Sequence, residues 1–139
     1  MSNWALNCTL VFAAGCLGGL LNSLTVWLFG LFRLTAVAGV KIAPSLTLAW
    51  LYPRIVWGGL WGFLFLLPFF QRKSLYRGMV ASLFPTFVQL FVVFPLQAKQ
   101  GIMGVNLGSL TLLFVLFFNA VWGVTTAFWL KLIEQNSSA

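Results

Sequence analysis

Apolar residues in this chain come in continuous runs rather than in alternation, and polar positions interrupt them at only a few places. Four runs, roughly 6–31, 46–70, 79–96 and 107–130, come close to or exceed the ~20 residues that a helix needs to cross a bilayer. Backbone N–H and C=O groups in lipid must be paired within the spanning structure, which leaves helices or a closed barrel. Runs without period-two alternation, and only four of them, predict helices. The expected fold is therefore an all-α integral membrane protein with four transmembrane helices.

The runs are also related to one another. Residues 39–67 align with 104–132 at a constant offset of 65 without a gap, including Val-Trp-Gly at 56–58 and again at 121–123. Nine of these 29 positions are identical, against about three expected from so biased a composition. The reading is two tandem helical hairpins, about 6–70 and 77–132, followed by a polar tail at 133–139. With two helices per repeat, both copies enter the membrane in the same sense, as parallel repeats about an axis along the membrane normal. The connections around 33–45 and 97–107 then become equivalent: each carries a basic residue, then Gly-Val (39–40 and 104–105). A residue suited to a helix start follows, Pro44-Ser45 in one and Asn106 in the other.

Composition agrees with the membrane reading: the 139 residues are 61% hydrophobic, with a mean hydropathy of +1.01. The N-terminus has no basic region, and its apolar stretch runs on past Cys16, so the first helix is expected to be retained rather than cleaved. Cys8 and Cys16 would lie about 12 Å apart along that helix, too far for a disulfide. Charge sets the orientation. The densest basic cluster is Arg72, Lys73 and Arg77, and placing it in the cytoplasm puts both termini there, with Lys131. Arg33, Lys41 and Lys99 on the other side make the bias slight. The expected location is a bacterial inner (cytoplasmic) membrane.

Arg54, Trp57, Gly58 and Trp61 share one face of the second helix, and Asn119, Trp122, Gly123 and Thr126 share the equivalent face of the fourth. Gly58/Gly62 and Gly123/Ala127 are small-xxx-small pairs, which allow helix backbones to approach closely in lipid. Trp57, Gly58, Gly62, Trp122, Gly123 and Ala127 are therefore the expected packing seam, with helices 2 and 4 meeting near the pseudo-axis. Arg54 is the sharpest polar feature. If its helix starts near Ser45, Arg54 lies about 13 Å along it, inside the hydrocarbon. If instead Pro53 is the first helical residue, Arg54 reaches back to the headgroups, with Trp50 and Tyr52 in the interfacial belt. Asn22, Thr86, Gln89, Asn119 and Thr126 are the other candidates for a polar pocket at membrane depth, with Ser23 and Thr25 beside Asn22, set against a plain role in interhelical hydrogen bonding.

The residues that are missing narrow the function. The chain has no His, and its single acid, Glu134, lies outside the spans. This leaves no carboxylate for cation coupling, no metal-binding set and no acid–base pair to activate a nucleophile, so no enzyme activity, cofactor or metal is expected. The four-helix format is similar in size to small drug exporters and fluoride channels. It departs from the first in having no glutamate in helix 1, and from the second in having no Phe/Thr-rich break in helix 3. Two functions are expected to compete: an accessory, assembly or scaffold subunit packing against partner helices, and an uncoupled channel, carrier or lipid-binding protein using Arg54 and buried amides as an oligomer. Membrane lipids, with a second copy or another membrane protein, are the expected partners; nucleic acid is not.

Overall fold

A computed structural model describes residues 3–67 and 74–137, and the described residues contain helices and no strand. Helix α1 (Trp4–Leu31) opens at Asn3, whose side chain accepts from the Leu6 N–H. It ends at Phe32 and Arg33, the latter left-handed at φ 61°. A single turn, α2 (Leu34–Val37), leads into irregular chain up to Thr47, whose hydroxyl accepts from the Trp50 N–H at 3.2 Å and starts α3 (Leu48–Trp61). A 3₁₀ stretch, Gly62–Leu66, continues α3. The return path is α4 (Ser74–Ala81), α5 (Leu83–Val88) and a π-helical segment, Gln89–Gln97. A 3₁₀ stretch at Ile102–Leu107 precedes α6 (Thr111–Ser137).

Three helical stretches, Trp4–Leu31, Leu75–Gln97 and Thr111–Asn136, are long and apolar enough to cross a membrane, which marks an all-α membrane protein. The second expected span is different. Its α-helical part is only Leu48–Trp61, because residues 41–47 form no helix before the Thr47 cap and the chain tightens to 3₁₀ at Gly62. Two further boundaries shift. Gly108 at φ 148° holds α6 back to Thr111, and at the far end residues 131–137 continue the helix. The expected span end at 68–70, together with Arg72 and Lys73, lies outside the described residues.

Packing is organised around α1. Its inward face carries Val11, Ala14, Gly15, Gly18, Gly19, Asn22, Ser23 and Val26, the i, i+3, i+4 stripe of a packed helix. Gly15 and Gly19 receive Gly58 of α3: a Cβ on Gly58 would lie 2.7 Å from the Gly15 carbonyl oxygen and 2.8 Å from Gly19 Cα. On another flank Gly18 accepts Trp122 and Thr126 of α6. Gly123 of α6 faces the backbone of Gly78 and the side chain of Ser82 beside α4. The expected seam therefore resolves differently from its sequence reading. Gly58 and Gly62 pack on α1 and Gly123 packs on α4, so the seam glycines of α3 and α6 do not pack on each other; α6 reaches α3 through Trp122, whose Nε1 donates to the Gly58 carbonyl. Gly15, Gly18 and Gly19 of α1 make this possible by admitting a neighbour on each side.

The connections 32–47 and 98–110 close one end of the bundle. The Lys41 N–H donates to the Leu107 carbonyl at 2.8 Å, and Gly108 lies against the Gly39 carbonyl and Val40. Asn7 of α1 and Glu134 of α6 border a common cavity at the other end, together with Arg77, so the first turns of α1 and the last turns of α6 lie there together.

Candidate functional site

Between the apolar cluster near the chain ends (Val11, Phe65, Trp122, Leu130) and the one beneath the connections (Leu90, Phe94, Val115) runs a layer of polar side chains. Arg54 is its centre. It lies six residues, about 9 Å, into α3. Pro53 stands inside the helix rather than at its first position, so Arg54 is not the first-turn residue that one sequence reading allowed. Having no N–H, Pro53 leaves the Ala49 carbonyl without its usual partner and loosens the turn that carries Arg54.

The Arg54 guanidinium is held by neutral groups. Its Nε donates to Ser23 Oγ at 2.9 Å and one terminal nitrogen to Asn22 Oδ1 at 2.7 Å. The Trp50 ring, one turn earlier on α3, covers the guanidinium at 4.7 Å from the ring centroid, a cation–π contact. Guanidinium has five N–H donors, so with two engaged three find no acceptor among the described residues. Asn22 is itself fixed, because its Nδ2 donates to the Phe118 carbonyl of α6 at 2.5 Å. Across the layer, Asn119 Nδ2 donates to Thr86 Oγ1 at 3.0 Å and to Gln89 Oε1 at 3.2 Å.

Two cavities border this layer. One, of about 370 Å³, reaches from Lys41, Ala43 and Pro44 under the connections to Arg54. The other, of about 430 Å³, lies between α3 and the α5–π stretch, walled by Trp57, Trp61, Val88 and Val92. Both have Asn22, Arg54, Gln89 and Asn119 in their walls, and both fall in the size range of small-molecule sites. No acidic residue lines either one.

The expected pocket residues thus divide. Arg54, Asn22, Gln89 and Asn119 come together around the cavities. Thr86 stands behind Asn119, returning its own hydroxyl proton to the Ser82 carbonyl, and Thr126 lies in the α1–α6 contact, bonded to the Trp122 carbonyl. Of the expected seam, Ala127 is fully buried and approaches Gly78, while Trp122 is buried and donates from Nε1 to the Gly58 carbonyl at 3.1 Å. Trp57 is 60% exposed and walls the second cavity instead. Ser23, expected among the polar groups at membrane depth, is an acceptor for Arg54. Trp50 and Lys41 were not among the expected site residues, and Trp50 was detectable by its i−4 spacing from Arg54. Lys41 reaches the site only through the folding of the connection, which has no local signature.

Arg77 is the contrasting cation. It is 7% exposed, lies 5.4 Å from the Phe65 ring centroid and pairs with Glu134 at 3.6 Å. It has the chain's only acid, whereas Arg54 has none. Neither a family model, nor a curated protein, nor a solved structure matches this chain.

Proposed function

We propose that this chain is a non-enzymatic membrane protein of four spans that binds an anionic group at Arg54 within the bundle. One observation carries the reading: a cation inside the fold, held by neutral partners, with three donors that find no acceptor among the described residues, between two cavities that no acid lines. An intramembrane arginine is costly, and an unpaired one is expected where a ligand supplies the missing charge.

The fourth span is Leu48–Leu66. Fourteen α-helical and five 3₁₀ residues extend about 31 Å, close to the thickness of the hydrocarbon core. Four spans place both termini on one side, taken as the cytoplasm of a bacterial inner membrane. Duplication draws support from matched contacts. Arg54 and Asn119, 65 residues apart, donate to Ser23 and Thr86, which are 63 apart. Gly15 and Gly19 cradle Gly58 as Gly78 and Ser82 cradle Gly123. Gly39 and Gly104 share left-handed φ values of 77° and 68°, and Arg33 and Lys99 share 61° and 54°.

The test is the thermal stability of purified protein titrated with inorganic phosphate. The expected result is a saturable rise in Tm that Arg54→Gln abolishes; an equal response in both proteins, or none in either, contradicts the reading. A second reading, an accessory subunit docking partner helices, draws on the exposed strip Tyr52, Val56, Trp57 and Leu60 along α3. Stoichiometric co-purification of another membrane protein, lost when this strip is mutated, would favour it.

A further inference from the structure

We infer that the ligand at Arg54 is an oxyanion-headed amphiphile: a lipid whose phosphate or carboxylate head occupies the Arg54 cavity while its hydrocarbon chain leaves sideways between α3 and the π-helical segment. This rests on the anion-site reading above and adds the ligand's second half.

The two cavities differ in chemistry. The one under the connections is bordered by Lys41, Arg54, Asn22 and Gln89, so it brings two basic residues and the Gln89 amide together with no acid. An oxyanion suits it, since charge-assisted hydrogen bonds to guanidinium are the strongest available to a carboxylate or phosphate. In the second cavity, Trp57, Trp61, Val88, Val92 and Val93 dominate the wall. An anion with its hydration shell has no reason to occupy that space, and a hydrocarbon chain does. Arg54 borders both, so one molecule satisfies the pair only if it is charged at one end and apolar at the other.

The second cavity also reaches the outer surface. Trp57 on the α3 wall and Val92 on the opposite wall are both substantially exposed, and the surface beside them carries Val56, Leu60, Phe87 and Phe91. That surface is apolar, as lipid contact requires. Among the described residues, the polypeptide between Leu83 and Gln97 departs from a regular α-helix, with Pro85 in its first turn and π geometry from Gln89 onward. Gln89, where the π geometry begins, contributes to both cavities. π-Helical stretches of this kind recur at functional sites.

Photocrosslinking tests the inference, using full-length protein in detergent micelles and a phosphatidic acid bearing a diazirine halfway along one acyl chain. Adducts are expected on Trp57, Trp61, Val92 and Val93, competed by unlabelled phosphatidic acid and not by phosphatidylcholine. Arg54→Gln is expected to lower this labelling by about tenfold or more, the loss of a charge-assisted hydrogen bond. Val92→Trp fills the cleft from an exposed position and is expected to abolish labelling. Uniform labelling of all lipid-facing helices, or cleft labelling unchanged in both variants, overturns the inference. A phosphate response in the wild type without any cleft adduct overturns the amphiphile but leaves the Arg54 anion site standing. Loss of both signals in a folded wild type removes both.

Discussion

The half of the molecule built on α1 and α3 and the half built on α4, α5 and α6 use the same contacts for different ends. In the first, Gly58 is pressed between Gly15 and Gly19, and four residues before it Arg54 donates to Ser23. In the second, Gly123 is pressed on Gly78 and Ser82, and four residues before it Asn119 donates to Thr86. The hydrogen-bonding and packing roles coincide; the charge does not. Asn119 spends both amide hydrogens on protein acceptors, whereas three of Arg54's donors find no acceptor among the described residues. The neutral half shows what the scaffold needs, and the surplus in the charged half is what a ligand can use.

Overfilling the seams tests the equivalence most severely. Gly58→Ala and Gly123→Ala each place a Cβ against facing backbone and should each cost about 1–3 kcal/mol, read as Tm in detergent. Similar losses uphold the comparison, and a large loss in one half alone breaks it. Next in size is Arg54→Gln, which gives both halves a neutral amide. It should weaken phosphate binding by about 10- to 100-fold while changing stability by less than about 1 kcal/mol, since a charge held inside the bundle by neutral partners is itself costly. Asn119→Ala removes two interhelical hydrogen bonds, worth about 0.6 kcal/mol each, and should lower Tm with less than about a tenfold effect on phosphate binding. Smallest is Trp122→Phe, which loses one bond to the Gly58 carbonyl, about 0.6 kcal/mol, and should leave phosphate binding unchanged.

Much of this was legible in sequence, for identifiable reasons. Continuous apolar runs located the first, third and fourth helices because backbone satisfaction in lipid leaves few alternatives. Helical spacing placed Arg54 and Asn119 at matching positions, and both do reach one polar layer. The partner of each glycine was not legible, because a small-xxx-small pair shows that a backbone approaches without showing which one. Helices 2 and 4 were therefore expected to pack together along this seam, whereas Gly58 packs on α1 and Gly123 on α4. Thr126 looked like a pocket residue from its helical face, yet the close α1–α6 approach at Gly18 seals it. The early end of the α-helical part of α3 and the π geometry after Gln89 depend on long-range packing and carry no periodic signal.

The central claim is that Arg54 holds an anion inside the bundle, and native mass spectrometry of the protein released gently from its own membrane tests it most directly. The account predicts that wild-type protein carries one oxyanion-bearing molecule per chain and that Arg54→Gln, folded and equally abundant, emerges without it. Bare wild-type protein, or the same adducts on both, would contradict it.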